Sequence, residues 1–202
     1  LFNVTGTNIA LDIIELAREA ARHDPPLAPE HWLSVTRDNE MHTPVYPNGC
    51  AVCEVEVDPE TGSARVTRYA AVDDAGRVIN PLIVDGQTHG AIAQGLGQAL
   101  SEQCYVDPVS GQPLCGSLLD YAMPRAGDLP AFVTELNEVL SPTNPLGIKA
   151  GGEGGTTPAP AVVINALVDA LRPYGVRDVP MPATPCRVWQ LIHAAERGPQ
   201  RD

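Results

Sequence analysis

The sequence predicts an α+β fold in which a twisted, largely antiparallel sheet packs against helices. Residues 50–57 alternate between apolar and polar side chains, turn at 58–62 and return as a second strand at 64–73, which is the pattern of a β-hairpin. Apolar residues also recur at helical spacing in four segments, at 7–22, 81–103, 160–171 and 185–195. The 18 glycines and 20 prolines predict many turns, which argues against a helical bundle.

The composition favours a folded, acidic protein of one large domain or two small ones. Hydrophobic residues make up 44% of the 202 residues, which is enough to bury a core. The formal charge of −12 argues against nucleic acids and anionic membranes as partners, because phosphate binding needs clustered cations. No apolar run approaches the roughly 18 residues of a membrane span. The five cysteines, an odd count, favour reduced thiols and therefore a cytoplasmic location.

The N-terminal segment, residues 1–48, is predicted to hold one helix followed by an irregular, proline-rich connection. The helix covers 7–22, with Thr7 or Asn8 as its N-cap, and ends before the prolines that follow His23. We predict a main domain at 49–195 and a disordered tail at 196–202. Because the chain begins with Leu1 rather than Met, we expect it to be a processed product or part of a longer protein.

The predicted helix from Pro81 to about Gln103 is unusual because four glycines interrupt it. Each glycine costs roughly 1 kcal/mol relative to Ala, so close approach of another backbone is the natural explanation. One stripe of the helix is polar and either binds a ligand or is solvated; it holds Gln87, Gly90, Gln94 and Gln98. The apolar side holds Ile83, Ile92, Leu96 and Leu100.

The remaining elements follow in order along the chain. A second hairpin is predicted around 105–114, with its turn at Ser110-Gly111, and a short strand at 132–136. After the helix at 160–171, the last helix starts at Thr184-Pro185, a cap followed by proline at the first helical position. Its buried stripe is predicted to be Val188, Leu191 and Ile192.

A glycine-rich run at 147–157, just before a helix, is the most informative feature for function. It is not a phosphate-binding Walker motif, because Lys149 precedes the glycines instead of following them. Glu153 has two glycines on each side, so neighbouring side chains do not shield its carboxylate. In a desolvated cleft such a carboxylate has a raised pKa and serves as a general base. The alternative is a flexible surface loop with a solvated acid.

The cysteines and histidines do not predict a metal site. Cys50 and Cys53 have the spacing of half a zinc knuckle, but positions three apart in a strand point to opposite faces. The three other cysteines are expected to be small buried residues; they are Cys104, Cys115 and Cys186. His89 is the one histidine near another candidate feature, and simple packing is the favoured explanation for it.

Taken together, residues 50–192 resemble the molybdenum-cofactor-binding large subunit of the xanthine dehydrogenase, aldehyde oxidoreductase and aerobic carbon monoxide dehydrogenase family. Each matching segment is weak alone, but their order and spacing are specific. The matching segments are 53–62, 78–81, Gly86-Gln87 with Gly90, 94–100, 120–124, 141–147, 149–156 and 181–189. The resemblance implies the α+β fold of the molybdopterin-binding domain of molybdenum hydroxylases, in part.

The resemblance implies a role for individual residues. Glu153 falls on the glutamate that acts as base beside the molybdenum centre, and Gln94 on a glutamine that contacts the pterin. The other residues implied to contact the cofactor are Gly95, Lys149, Gly151, Gly152, Thr7 and Asn8. The implied reaction is oxidative hydroxylation of a small substrate, such as an N-heterocycle, purine, aldehyde or carbon monoxide, with oxygen supplied by water.

The resemblance also implies cofactors and partner chains. The cofactor is molybdopterin with molybdenum, in the cytosine dinucleotide form that is usual in bacterial relatives. Iron–sulfur clusters and FAD would lie on partner chains, since no cysteine pattern for a cluster is present. Family large subunits are several times longer, so the rest of the large subunit, an FAD subunit and a 2Fe-2S subunit are the implied partners. This chain would supply half of an active site.

Two other functions stay open on the sequence alone. One is a non-catalytic assembly module or relic that keeps the fold without cofactor, which would expose an apolar face where the missing part packs. The other is a nucleotide-phosphate-binding domain built on the glycine-rich loop, against which the position of Lys149 argues.

Overall fold

The computed structural model describes residues 1–28, 31, 33, 36 and 38–197, with the side chains of 195–197 left out. The chain divides into two compact units, Leu1–His42 and Thr43–Asp202. No helix in these described residues is both long and apolar enough to cross a membrane.

The first unit contains a two-stranded antiparallel hairpin followed by a helix. Strands β1 (Phe2–Asn3) and β2 (Ala10–Leu11) pair, and helix α1 covers Ile13–Arg22. The prediction that the helix begins near Thr7 is therefore wrong. Asp12 is the N-cap: its Oδ1 accepts a hydrogen bond from the backbone N–H of Ile14 at 2.8 Å, while the residues just before it pair as a strand.

The second unit contains a sheet and three helices, as predicted. Its strands are β3 (Asn48–Val57), β4 (Ala64–Asp74) and β5 (Phe132–Leu136). Its helices are α2 (Pro81–Leu100), α3 (Ala159–Leu171) and α4 (Pro185–Arg197). Helix α4 thus extends two residues into the segment predicted as a tail, and residues 198–202 lie outside the described residues.

The sheet has the order β3–β4–β5 and confirms the α+β fold class. β3 and β4 are antiparallel, with Cys53 opposite Tyr69, because a short turn joins them. β5 instead pairs parallel to β4, with Phe132 opposite Tyr69. A parallel neighbour needs a long crossover connection, and α2 with the following segment supplies it. The sheet is therefore mixed rather than wholly antiparallel.

The helices cover one face of the sheet and enclose the core. On the inward side of β4, Val66, Tyr69 and Ala71 are at least 95% buried. The helices contribute Ile92, Leu96, Val163, Leu167, Leu171, Val188 and Ile192, each at most 1% exposed. On the other face Val52 and Val133 are exposed. The predicted stripe of α4 is confirmed at Val188 and Ile192, while Leu191 is half-buried.

Helix α2 is capped at both ends, and only part of its predicted apolar side is buried. Asn80 caps its start, since its Oδ1 accepts a hydrogen bond from the N–H of Ile83 at 3.2 Å. At its end the N–H of Ser101 donates to the carbonyl of Gly97 at 2.9 Å. On the predicted apolar side Ile92 and Leu96 are buried, whereas Ile83 in the first turn is 59% exposed.

Close approach of a neighbouring helix explains the glycine at Gly95 of α2 but does not explain the one at Gly90. A Cβ at Gly95 would lie 2.6 Å from the Cβ of Ala159 and 3.1 Å from Cδ of Pro160, so α3 crosses α2 at this point. A Cβ at Gly90 would meet nothing within 4 Å. The glycines of one helix thus serve different purposes.

Gly95→Ala is expected to lower the free energy of unfolding by about 1–3 kcal/mol, because the added methyl overpacks the α2–α3 contact. Gly90→Ala, in the same helix and with open space around it, is the matched control. It is expected to raise the free energy of unfolding by about 0.5–1 kcal/mol, because Ala loses less backbone entropy than Gly in a helix. Urea denaturation of both variants measures the two effects. Equal destabilisation by the two substitutions would contradict the close packing at Gly95.

Candidate functional site

The glycine-rich loop, residues 147–157, is anchored at its start by a buried ion pair. Lys149 Nζ lies 2.5 Å from Asp74 Oδ2, and the two side chains are only 11% and 10% exposed. The other oxygen, Asp74 Oδ1, accepts hydrogen bonds from the N–H groups of Gly76 at 2.9 Å and Val139 at 3.0 Å. Burial raises the pKa of Asp74, but the hydrogen bonds from Lys149 and the two amides outweigh it and hold the pKa below its usual value.

Backbone and amide contacts hold the approach to the loop. The N–H of Lys149 donates to the carbonyl of Ala75 at 2.9 Å. Asn144 spans the preceding turn, because its Oδ1 accepts from the N–H of Ile148 and its Nδ2 donates to the carbonyl of Ile148. The glycine-rich loop therefore leaves a fixed base beside the end of β4.

The far end of the loop fits against the backbone of α2. A Cβ at Gly155 would lie 2.7 Å from the carbonyl oxygen of Thr88 and 3.0 Å from the N of Ile92, so only glycine allows this approach. The hydroxyl of Thr156 donates to the carbonyl of Ala91 at 3.0 Å. With both ends held, the part of the loop that carries Glu153 lies between two fixed points.

Glu153 lies in the turns of this loop and its side chain is exposed. Its backbone carbonyl accepts hydrogen bonds from both the N–H and the hydroxyl of Thr157, at 3.1 and 3.0 Å. The residue lines a cavity of about 580 Å³ together with Tyr46, Asn48 and Asp73. The cavity is open to solvent at Glu153 in this chain. The desolvation that a general base requires therefore has to come from a further segment or another chain that covers the cavity.

Asp73 is a second carboxylate in this cavity, and the sequence analysis missed it. It closes the inward row of β4, opposite Gly49 of β3, where a Cβ would collide with its Oδ1. A Cβ at Gly154 would lie 3.9 Å from its carboxyl carbon, which places Asp73 next to the loop. Burial raises the pKa of Asp73. Its inward position on an alternating strand was a signal that could have identified it.

A smaller neighbouring cavity brings together three other predicted residues. Lys149, Gly151 and Gly152 line a space of about 270 Å³, to which α2 contributes Gln87. No heavy atom lies within 4 Å of the position of a Cβ at Gly152, so its backbone is open to a ligand. The glycine-rich loop and the start of α2 therefore form one continuous surface.

The α2 residues predicted to contact a cofactor differ in their surroundings. Gln94 is exposed and lies three residues after Ala91, whose carbonyl binds the loop through Thr156. Gly95 is buried against α3. Gln94 is therefore accessible to a ligand, and Gly95 acts in packing.

Thr7 and Asn8 lie in the turn between β1 and β2. The hydroxyl of Thr7 donates to the carbonyl of Val4 at 2.9 Å and accepts from the N–H of Ile9 at 3.2 Å. These bonds explain the turn locally. The turn belongs to the first unit, so its contact with the cofactor stays a prediction.

The expectation that the later cysteines are buried is wrong. Cys104 is exposed and Cys115 half-exposed because both lie at the base of the second hairpin. Cys186 is exposed because it lies on the outer side of α4. Cys53 is the partly buried one: its Sγ donates to the carbonyl of Val162 at 3.5 Å, and burial raises its pKa to about 11. Across the described residues, no group of three His, Cys, Asp or Glu side chains is placed to hold a metal ion.

His89 has the packing role that the sequence analysis considered. Its Nε2 is 3.2 Å from the hydroxyl of Thr134, and its ring meets Phe132 edge-to-face with centroids 5.5 Å apart. The hydroxyl of Thr134 donates in turn to Asp85 at 2.7 Å. His89 thus joins α2 to β5, on a different side of α2 from the exposed glutamine stripe.

Comparison with known proteins identifies the family. The model of the molybdopterin cofactor-binding domain matches residues 2–130. The chain is 37% identical to the "6-hydroxypseudooxynicotine dehydrogenase complex subunit gamma" of Paenarthrobacter nicotinovorans, over 97% of this chain and 25% of that one. It is 35% identical to the carbon monoxide dehydrogenase large chain of Hydrogenophaga pseudoflava, over 85% of this chain and 21% of that one.

A solved structure agrees with the sequence comparisons. The reconstituted CO dehydrogenase from Oligotropha carboxidovorans superimposes with a TM-score of 0.72 and 30% identity, over 75% of this chain and 19% of that one. The chain thus spans a quarter or less of the length of these relatives. It belongs to the molybdopterin cofactor-binding domain family, as part of a molybdenum-cofactor-binding large subunit of the xanthine dehydrogenase, aldehyde oxidoreductase and carbon monoxide dehydrogenase type.

Proposed function

We propose that this chain is the base-bearing part of a molybdenum hydroxylase, completed by the rest of the large subunit on the same or another polypeptide. The proposed reaction is oxidative hydroxylation of a small molecule, an N-heterocycle, a purine, an aldehyde or carbon monoxide, with water as the source of oxygen. The observation that carries the proposal is Glu153, held on a loop fixed at both ends and facing a cavity of about 580 Å³.

The residues present fit the cofactor in chemistry and space. The backbone at Gly152 is open, Gln87 and Gln94 are exposed on the adjoining helix face, and Lys149 lines the smaller cavity. Amide side chains and open glycine backbones suit a pterin, which carries many hydrogen-bonding atoms. We propose the cytosine dinucleotide form of molybdopterin, with Gln94, Gly151 and Gly152 contacting it.

The bound cofactor supplies the oxidising centre that takes electrons from the substrate. Glu153 then has one task, which is to accept a proton from the oxygen nucleophile that derives from water. The carboxylate is suited to this because glycines flank it and its backbone is fixed by Thr157. Asp73 lines the same cavity as Glu153.

The names of the relatives support partner chains for this one. The two relatives described above are named as a complex subunit and a large chain, and each is four or more times as long as the part that this chain matches. We propose that FAD and 2Fe-2S subunits receive the electrons, in a cytoplasmic complex. The exposed Leu82 and Leu119, 82% and 95% accessible, fit a chain that is covered in its assembly.

Native mass spectrometry with metal analysis, on protein purified from its own source, tests this function. We expect partner chains together with about one molybdenum per complex, as well as iron and flavin. Gln94→Ala is expected to lower the molybdenum content, because an exposed ligand-facing amide is lost. Gln190→Ala, an exposed glutamine on α4, is the matched control and should leave it unchanged. A homogeneous chain without metal would contradict the proposal and support the non-catalytic assembly module.

A further inference from the structure

Two cysteines outside the candidate site lie within reach of each other. The Sγ atoms of Cys104 and Cys115 are 3.7 Å apart, and the Sγ of Cys115 also lies 3.9 Å from the carbonyl oxygen of Tyr105. Cys104 is exposed and Cys115 half-exposed, so small reagents reach both. A disulfide bond requires about 2.05 Å between the sulfur atoms, a difference that small side-chain rotations remove.

The register of the second hairpin places these two cysteines directly opposite each other. The N–H of Leu114 donates to the carbonyl of Tyr105 at 2.9 Å, and Val106 and Pro113 form an antiparallel bridge. Tyr105 and Leu114 are a hydrogen-bonded pair, so the next pair in this register, Cys104 and Cys115, is a non-hydrogen-bonded pair. Such pairs have Cα atoms about 4.5 Å apart, within the range of about 4.4–6.8 Å that disulfides accept.

Contacts other than the cysteines hold the base of this hairpin. The hydroxyl of Tyr121 donates to Glu102 at 2.9 Å, and the hydroxyl of Ser101 donates to the carbonyl of Ala122 at 2.8 Å. These bonds join the chain just before Cys104 to the chain after Cys115. In the reduced protein these contacts therefore keep the two thiols close to each other.

The other three cysteines differ from this pair. The Sγ of Cys53 donates to a backbone carbonyl and its pKa is raised by burial to about 11, which keeps it a thiol. Cys50 is exposed on β3 and pairs with Val72. Cys186 is exposed on α4, where Gln190 Nε2 lies 3.5 Å from its sulfur. Cys186 is thus an accessible thiol in a different setting.

We propose that Cys104 and Cys115 form a redox modification site, in which a low-molecular-weight disulfide such as oxidised glutathione converts them to a disulfide. One cysteine thiolate attacks glutathione disulfide, forming a mixed disulfide and releasing one glutathione thiolate. The second cysteine attacks the mixed disulfide and releases the other. Two protons leave the cysteines for the two glutathiones, and two electrons pass from the pair to glutathione disulfide.

The electrostatics of the pair suit this sequence of steps. The hydrogen bond with Cys115 and the charge of a neighbouring thiolate raise the pKa of Cys104, because two adjacent thiolates are unfavourable. The 3.7 Å between the two sulfur atoms lets the second cysteine attack the mixed disulfide that the first one forms.

Trypsin separates the cysteines conveniently. No Lys or Arg occurs between Val78 and Pro124, so Cys104 and Cys115 share one peptide, 78–125, with no other cysteine. Cys186 falls in the peptide 178–187. The full chain is equilibrated in defined ratios of reduced and oxidised glutathione, quenched with N-ethylmaleimide, digested and weighed.

In oxidising mixtures the 78–125 peptide is expected to lose the mass of two hydrogens and to take up no N-ethylmaleimide, while excess reduced glutathione restores two alkylation sites. Cys115→Ser is expected to abolish the two-hydrogen loss and leave a single site that carries glutathione. Cys186→Ser, the matched control, should leave the transition unchanged. Two N-ethylmaleimide groups, or glutathione on both cysteines, in the wild-type peptide under conditions that glutathionylate Cys186 would overturn the proposal.

Discussion

Replacing Glu153 with Gln is expected to lower kcat of the assembled enzyme by about 10²–10⁴-fold, the usual contribution of a general base. Gln has the size of Glu and keeps the turn, whose hydrogen bonds use the backbone carbonyl of residue 153 and not the side chain. It has no basic oxygen for a proton. Because substrate binding does not depend on proton transfer, KM should change little.

Two measurements separate this loss of proton transfer from damage to the protein. Molybdenum content of the Glu153→Gln complex should equal that of the wild type, since the backbone at Gly152 is unaltered. Glu60→Gln, an exposed glutamate in the β3–β4 turn, is the matched control and should retain full turnover. Turnover of the Glu153 variant within twofold of wild type, at equal molybdenum content, would refute the assigned role.

Replacing Lys149 with Met is expected to lower the free energy of unfolding by roughly 3–5 kcal/mol at neutral pH, because it leaves Asp74 charged and buried without its cation. The matched control is Arg172→Met. Arg172 lies 2.9 Å from Asp169, but those side chains are 78% and 73% exposed, so the cost should be at most about 1 kcal/mol. Denaturant unfolding of both variants gives the comparison, and equal costs would contradict a structural role for the buried pair.

The pH dependence of the Lys149 variant provides a second test. The pKa of Asp74 is lowered in the folded wild type, so its stabilising effect is complete above the ordinary aspartate pKa of about 3.9 and is lost as the pH falls through the lower folded value. In the variant the buried carboxyl gains stability by protonation. The difference in unfolding free energy between wild type and variant should therefore shrink on acidification, above about pH 4 because the variant's carboxyl becomes protonated and below it because the wild type loses its stabilisation. A difference that is constant with pH would exclude Asp74 as the cause.

The elements with strong local patterns were predictable from the sequence. Residues 50–57 of β3 alternate between apolar and polar side chains, and α3 and α4 have regular apolar spacing, so the bounds of these elements and of β4 differ from prediction by at most two residues. The start of α1 was not predictable from spacing alone, because Asp12 competes with Thr7 as a cap and the intervening residues pair as a strand.

The features that depend on distant residues were not predictable. The parallel pairing of β5 with β4 joins segments about 60 residues apart, and no local pattern encodes its direction. Glu153 stood out because of its glycine neighbours, whereas the Lys149–Asp74 ion pair becomes visible only when the end of β4 meets the loop. The cysteines were assigned to the core by their usual preference, but their surroundings decide otherwise.

The anchoring of the loop at Asp74 and on α2 has a consequence for the order in which the chain is built. Both anchors precede the loop in the sequence, by 75 residues in the case of Asp74 and Lys149. During synthesis the hairpin and α2 leave the ribosome well before Lys149, and contacts between distant residues form late because chain closure is costly. We expect Glu153 to reach its final position only near the end of folding. In a nascent chain the β3–β4 hairpin and α2 should therefore form before the loop that carries Glu153 is in place.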